Sequence, residues 1–305
     1  MAQDWYDREI AKRYAHPMPV WRCVENHLLP KLGGLPIKNI TAGMVDSALQ
    51  KVVKDDKPTS ANDALRYAKR IFVFARKRHL VEINPVADFE LTDAGGHELG
   101  RTRALSEAEL AALFKAMPAD QSFGRDNELA VKLLLMLCVR KGELLAARWE
   151  DFDLDDAVWT LKKSKTGTSI RIPLPAAAVE MLNELKVRAA GSPYILPVRR
   201  LHHGREARHV NTSTINLALR KISGEMEPFT VHDLRRTART HLAALGIPAE
   251  VAERCLNHKL RGVEGIYNRH DYFDQRRAAL DQWAELLLSL ERNGAEKVVP
   301  IRAKK

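Results

Sequence analysis

Apolar residues recur every three to four positions through most of the first ninety residues, the spacing of amphipathic helices. They predict helices at Trp5–Tyr14, Pro19–Leu29, Thr41–Val53 and Ser60–His79. In the last, Leu65, Ala68, Ile71, Phe72 and Ala75 form one stripe, and Ser60 and Asp63 have capping-box spacing. The periodicity stops at Thr92–Arg103, TDAGGHELGRTR, a polar, glycine-containing stretch that reads as a linker. Beyond it Ser106 and Glu109 repeat the capping-box spacing, and Asn127–Val139 is apolar nearly all round, as a helix buried on every side would be. The period then shortens to two. Val158, Thr160 and Leu161 lead into the basic turn Lys162–Thr168, and Ile170, Ile172 and Leu174 alternate with polar neighbours, predicting a β-hairpin. Helices resume at about Ala176–Ala189, Thr212–Ile222, Val231–Leu245, Ala249–Leu256 and Phe273–Glu291. The pattern predicts a mainly α protein with a small antiparallel sheet. Its expected parts are a helical domain over residues 1–91, a linker over 92–103 and a second domain over 104–305.

Charge adds a partner class. The 305 residues hold 49 Lys and Arg against 39 Asp and Glu, a formal +10 with a pI near 9.5. Residues 1–100 carry 15 basic against 13 acidic groups and the remainder 34 against 26, so +8 of the excess follows the linker. Such a balance favours a polyanion, nucleic acid before anionic membrane. The longest apolar runs, such as Leu133–Val139, fall far short of the ~20 residues a membrane span needs. Cys23, Cys138 and Cys255 are odd in number and far apart, which reads as reduced thiols in a cytoplasmic protein.

Four stretches carry candidate chemistry. In TVHDLRRTART, Thr230 and Asp233 have capping-box spacing, placing His232 and Arg235 three apart in the first turn of a helix. Imidazole, guanidinium and unpaired helix N–H groups together suit a phosphate, although His232 packing locally and Arg235 pairing with an acid would explain the same residues. In VRKGE, Arg140 follows the apolar helix, Gly142 is expected to break it, and Glu143 is close enough to orient the guanidinium. An arginine neutralising a helix C-terminus is the ordinary alternative. Lys165 sits in the hairpin turn, where most lysines are merely solvated, yet a lysine there can reach into a DNA groove and donate a proton. In RCLNHKLRGVEGIYNRHDY, His258 precedes Tyr267 by nine residues, among Arg261, Arg269 and His270. Tyr267 is either a packing residue or a nucleophile whose hydroxyl is acidified by surrounding positive charge. Cys255 and His258 have C-x-x-H spacing without a second ligand pair, so zinc is not expected.

Taken in order, Arg140, Lys165, His232, Arg235, His258 and Tyr267 resemble the active-site series of the tyrosine recombinases, the phage integrase family. The matching contexts are R-K-G-E-L-L, S-K-T-G followed by R-I-P-L, H-D-L-R-R-T, L-N-H and Y-N-R-H. ENHLLPKLGGLPIKNIT, residues 25–41, is similar to the helical core-binding domain of prophage and genomic-island integrases. The resemblance implies a site-specific DNA recombinase that integrates or excises a mobile element through a 3′-phosphotyrosyl intermediate, needing neither cofactor nor metal. It implies Tyr267 as nucleophile, Arg140 and Arg235 on the non-bridging oxygens, and His232 and His258 hydrogen-bonded to the phosphate. Lys165 would be the general acid and Glu143 the acid that orients Arg140. The implied partners are duplex DNA at an attachment-site core, a homotetramer on that DNA and DNA-bending accessory proteins; no membrane is implied. The expected location is the cytoplasm, at the bacterial nucleoid when bound.

Further DNA contacts are expected from the basic face formed by Arg66, Lys69, Arg70, Arg76 and Lys77. Arg199, Arg200, Arg205 and Arg208 in RRLHHGREARH make a second candidate, a solvated loop being the plainer reading. Two departures from the family pattern stand out. Asn257 replaces the usual glycine before the last histidine, and no arm-binding domain is read before Trp5, so the chain is either a simple recombinase or, the favoured expectation, a fragment beginning at the core-binding domain. The rival functions are a type IB topoisomerase with the same chemistry and a non-catalytic DNA-binding protein on the same scaffold; the second has no use for Tyr267.

Overall fold

The computed structural model describes residues 1–162, 169–199, 207–224, 226–258 and 270–296. The chain divides into two units, Met1–Arg101 and Thr102–Lys305.

The first unit is helical. It comprises α1 (Ala2–Trp5, continued as a π-turn over Tyr6–Ile10), α2 (Met18–His27), α3 (Leu29–Leu32), α4 (Ala42–Lys54) and α5 (Pro58–Arg76). Trp5, Ile10, Val24, Leu49, Leu65 and Phe72 meet in its core. Helix α5 starts one turn earlier than the Ser60–Asp63 spacing predicts. Lys57 is its N-cap and Pro58 its first residue, a position where proline loses nothing because that N–H would be unpaired anyway. Asp63 instead accepts from Arg66 at 2.8 Å.

Buried Asn62 ties the following chain to this unit. Its amide donates to the Gly96 carbonyl at 2.9 Å and to Glu98 at 3.0 Å, and its oxygen accepts from the Gly95 N–H at 2.8 Å. A Cβ at Gly95 would run into the Pro58 carbonyl, so only glycine allows this approach. Residues 91–98 are therefore packed onto the first unit, leaving a short stretch near Leu99–Thr102 as the connection.

The second unit is built around α7 (Arg125–Met136), in which every residue from Glu128 to Met136 is buried. Helices α6 (Glu107–Ala119), α9 (Ala176–Arg188), α10 (Ser213–Ile222), α11 (Val231–Ala244) and α13 (Phe273–Glu296) pack around it, with short α8 (Lys141–Leu145) and α12 (Ala249–Cys255). Each leucine fully buried in this cluster contributes ~1.5–3 kcal/mol of burial energy. Two polar contacts fix the register of α7 against α13. The Trp283 indole N–H donates to the Leu135 carbonyl at 2.8 Å, and buried Lys132 bridges Glu128 at 2.6 Å and Glu291 at 2.7 Å.

The sheet is antiparallel in the order β1 (Phe152–Asp153), β2 (Val158–Leu161), β3 (Ile170–Pro173). Strands β2 and β3 pair Val158 with Pro173 through Leu161 with Ile170, which is the hairpin the period-two pattern predicts. The short β1 carries no such pattern in sequence. The architecture is thus mainly α with one small antiparallel sheet in two domains. No described helix is long and apolar enough to cross a membrane.

Candidate active site

Helix α7 stops because Cys138 turns the backbone into the left-handed region, φ +54°. The break expected at Gly142 lies here instead, and Gly142 is an ordinary residue of α8. Arg140 becomes the N-cap residue of α8, and Glu143, one turn on, accepts from it twice. The Arg140 backbone N–H reaches one carboxylate oxygen at 3.0 Å, and the guanidinium reaches the other at 3.0 Å. One acid thus caps the helix and orients the arginine.

Helix α11 enters the same cleft from its N-terminus. Asp233 accepts from the Thr230 N–H at 2.8 Å and its hydroxyl at 2.9 Å, the capping box expected from the sequence. Arg235 is 4% exposed, and its guanidinium donates to the carbonyls of Cys138 and Leu256. It therefore bridges the end of α7 to the end of α12. Arg140 reaches the neighbouring Asn257 carbonyl at 3.4 Å. Asn257 has φ +49°, so the residue standing where the family uses glycine adopts the left-handed conformation that asparagine tolerates well. His258 follows, its Nδ1 lying 2.7 Å from Glu253.

Arg140, Lys141, Asn216, His232 and Arg235 line one cleft of about 350 Å³. Its lining carries the positive charges of Arg140, Lys141 and Arg235. Arg235 is pushed down to about 10, first by burial and then by the charge of Arg140, and it remains cationic at neutral pH. His232, although exposed at the mouth, is held below the usual imidazole range by partial desolvation and then by Arg236 and Arg235. His258 is lowered by burial, with Arg235 and Arg140 adding to the effect and Glu253 opposing it. Lys141 is lowered by burial and donates to Asn216 at 3.1 Å. Two guanidiniums in a part-buried cleft with neutral imidazoles beside them form a receptor for an oxyanion such as a phosphate.

Both imidazoles give stability a pH dependence with a definite sign. A folded pKa below the unfolded value means the unfolded chain takes up protons first as pH falls through about 6.5. Stability from these groups is complete above that value and is lost on acidification. Thermal melts between pH 7.5 and 5.5 are expected to show a falling Tm, with a shallower fall in a His232→Gln/His258→Gln variant. An equal slope in both proteins would contradict the assignment.

Residues 103–273 match the phage integrase family, and residues 1–91 match the phage integrase central domain. The chain belongs to the phage integrase family. Prophage integrase IntZ of Escherichia coli K12 is 30% identical over 296 residues, covering 95% of this chain and 71% of that protein. The fold is similar to a lambda integrase dimer bound to a COC′ core site, with TM-score 0.68 and 23% identity over 85% of this chain and 95% of that one. A lambda integrase tetramer bound to a Holliday junction gives TM-score 0.69 over 88% of this chain and 76% of that one.

Among the residues singled out from sequence in this integrase-family chain, Arg140, Glu143, His232, Arg235 and His258 come together. Lys165 and Tyr267 lie outside the described residues, as do Arg200 and Arg205. The basic residues of α5 are largely engaged within their own unit. Arg66 pairs with Asp63 and Glu98, Lys69 donates to the Ala87 carbonyl at 2.9 Å, and Arg70 donates to the Tyr14 hydroxyl at 2.8 Å while lying 5.5 Å from the Trp5 ring centre. Arg76 and Lys77 are exposed. Arg199 pairs with Asp126 and donates to the Arg188 carbonyl, while Arg208 is exposed.

Three residues at or near the site are missing from the sequence reading. Arg239 and Glu253 pair with each other at 2.7 Å behind His258. Arg276, 1% exposed, donates to the Asp271 carbonyl at 2.7 Å and the Arg171 carbonyl at 2.9 Å, joining the start of α13 to β3. Arg239 lies one turn beyond Arg235 on the same helix face, a spacing that could have flagged it. Nothing in the sequence distinguishes Arg276 from its neighbour Arg277.

Proposed function

We propose that the cleft holds the scissile phosphate of duplex DNA and that Tyr267 attacks it. The reaction class, site-specific recombination by a tyrosine recombinase, follows from the family. The residue roles come from the resemblance together with the cleft's chemistry. The Tyr267 oxygen bonds to phosphorus as its proton passes to His232, whose depressed pKa leaves it neutral and able to accept. The bond from phosphorus to the 5′-oxygen breaks, and Lys165 supplies that oxygen's proton. The products are a 3′-phosphotyrosyl link and a free 5′-hydroxyl. Attack by the 5′-hydroxyl of a second strand reverses the step and restores a phosphodiester, so the bond energy is conserved without ATP.

Arg140 and Arg235 neutralise the charge that grows on the non-bridging oxygens, and His258 adds a further hydrogen bond. Glu143 acts through Arg140 and needs no contact with DNA. The observation that carries this reading is the convergence of Arg140, His232 and Arg235 on one cleft, with each arginine anchored by carboxylate or backbone carbonyl partners. Arg76, Lys77 and Arg208 remain as exposed DNA-backbone contacts. On DNA the protein works as a homotetramer at an attachment-site core in the cytoplasm, with DNA-bending partners, to integrate or excise a mobile element.

The test is a nicked suicide duplex spanning the mobile element's junction. The expected result is an SDS-resistant, protease-sensitive adduct whose DNA-bearing peptide maps to Tyr267. Salt-sensitive DNA binding without an adduct, or an adduct on another residue, would overturn the proposal.

A further inference from the structure

Helix α11 contributes to the cleft twice. His232 and Arg235 face it directly, while Arg239, one turn further along, donates through Nε to Glu253 at 2.7 Å. The second oxygen of Glu253 lies 2.7 Å from His258 Nδ1. A single carboxylate on α12 therefore joins an arginine of α11 to the last histidine of the site. The backbone on either side of this contact is held as well, since Leu256 and Asn257 give their carbonyls to Arg235 and Arg140. Backbone anchors alone leave an imidazole free to turn about its χ angles; the carboxylate removes that freedom.

With the cleft read as a phosphate site, we infer that Glu253 is a positioning residue which sets the tautomer and orientation of His258 for the phosphate. A carboxylate only accepts hydrogen bonds, so Nδ1 must carry the hydrogen and Nε2 is the ring atom left for the substrate. Among the described residues, the charged and titratable groups around His258 are Glu253 from α12, Arg140 at the start of α8, and Arg235 and His232 from α11. The arginines oppose protonation of the ring and Glu253 favours it. A phosphate in the cleft offsets the arginines. His258 then takes a proton from solvent and donates it as Nε2–H in a hydrogen bond to a phosphate oxygen. Burial would raise the Glu253 pKa, but the bonds from Arg239 and His258 outweigh it and keep the carboxylate ionised.

The experiment uses the full chain with 15N-labelled histidine, as wild type and as Glu253→Gln. In the wild type His258 is expected to carry its hydrogen on Nδ1, and in the variant that preference is lost. Single-turnover cleavage of the suicide duplex by Glu253→Gln is expected to fall by about 10–100-fold, the usual cost of losing a partner that orients a site histidine. DNA affinity should stay within about twofold. In a His258→Ala background the same change should add less than about twofold, because Glu253 acts only through that ring. A wild-type His258 with its hydrogen on Nε2, unimpaired cleavage by Glu253→Gln, or equal losses in both backgrounds would each overturn the inference. If the wild type forms no adduct, the phosphate reading falls, and the tautomer alone decides whether Glu253 sets the ring.

Discussion

Arg235→Lys is expected to slow single-turnover DNA cleavage by roughly 10²–10³-fold, the usual loss when one donor to a developing oxyanion is removed. The substitution keeps a positive charge, so electrostatic attraction of DNA is not what it tests. What disappears is shape. The guanidinium spans the Cys138 and Leu256 carbonyls and carries five N–H donors in a plane, leaving further donors for a phosphate. An ammonium is a point charge on a flexible stem. It can satisfy one of the carbonyls or the phosphate, but not all three. DNA affinity should change little, because many other phosphate contacts share it. Folding stability should fall by ~1–3 kcal/mol for the carbonyl left without a donor. Cleavage within threefold of wild type at saturating protein would show that Arg235 serves only to join α7 to α12.

The second large effect is structural. Arg276→Met is expected to destabilise the second unit by roughly 2–6 kcal/mol, about 1–3 for each part-buried carbonyl that loses the donor from this buried guanidinium. Methionine restores much of the apolar volume and none of the hydrogen bonds to Arg171 and Asp271. The Phe273 ring keeps Arg171 at 4.6 Å and Arg277 at 5.2 Å, so the loss of Arg276 from above it is partly shared. For a unit of this size the melting temperature should drop by ~5–20 °C, read by calorimetry on the full chain. The transition of the first unit should stay where it is. A shift below 2 °C would mean that water replaces the arginine at both carbonyls.

The sequence was most informative where chemistry and local structure use the same residues. Thr230 and Asp233 mark the start of α11 whatever surrounds it, and that start fixes His232 and Arg235 on one face. The β-hairpin was equally legible, because alternation over Ile170–Leu174 has no helical reading. Asn257 was recognisable as a left-handed position because the residue type itself tolerates that backbone.

Other features depend on tertiary contacts that leave no local trace. Helix α7 ends at Cys138 because its carbonyl has a buried guanidinium to meet, whereas local propensity pointed to Gly142. Helix α5 begins at Pro58, where the fixed φ of proline outweighs the Ser60–Asp63 spacing. The basic face of α5 reads in sequence as a candidate DNA contact. Three of its residues meet partners 18 to 56 positions away or across a turn, among them Glu98, Ala87 and Tyr14, which periodicity cannot pair. Glu253 escaped notice because its importance comes from Arg239 and His258 together, and α12 alone gives no reason to single it out.

Leu105 lies just beyond the stretch joining the two units, and both of its backbone groups are held by α11. Its N–H donates to the Thr237 hydroxyl at 2.9 Å, and its carbonyl lies 2.9 Å from His241 Nε2. Thr237 and His241 are on the helix that also carries His232, Arg235 and Arg239. A pull along the joining segment therefore reaches α11 at Leu105, just after Arg103, which holds Glu109 of α6 and the Glu227 carbonyl. Because an α-helix transmits axial and rotational strain as a nearly rigid rod, His232, Arg235 and Arg239 would feel such a load together. The segment that joins the units and the residues that line the cleft thus meet on one helix of about four turns.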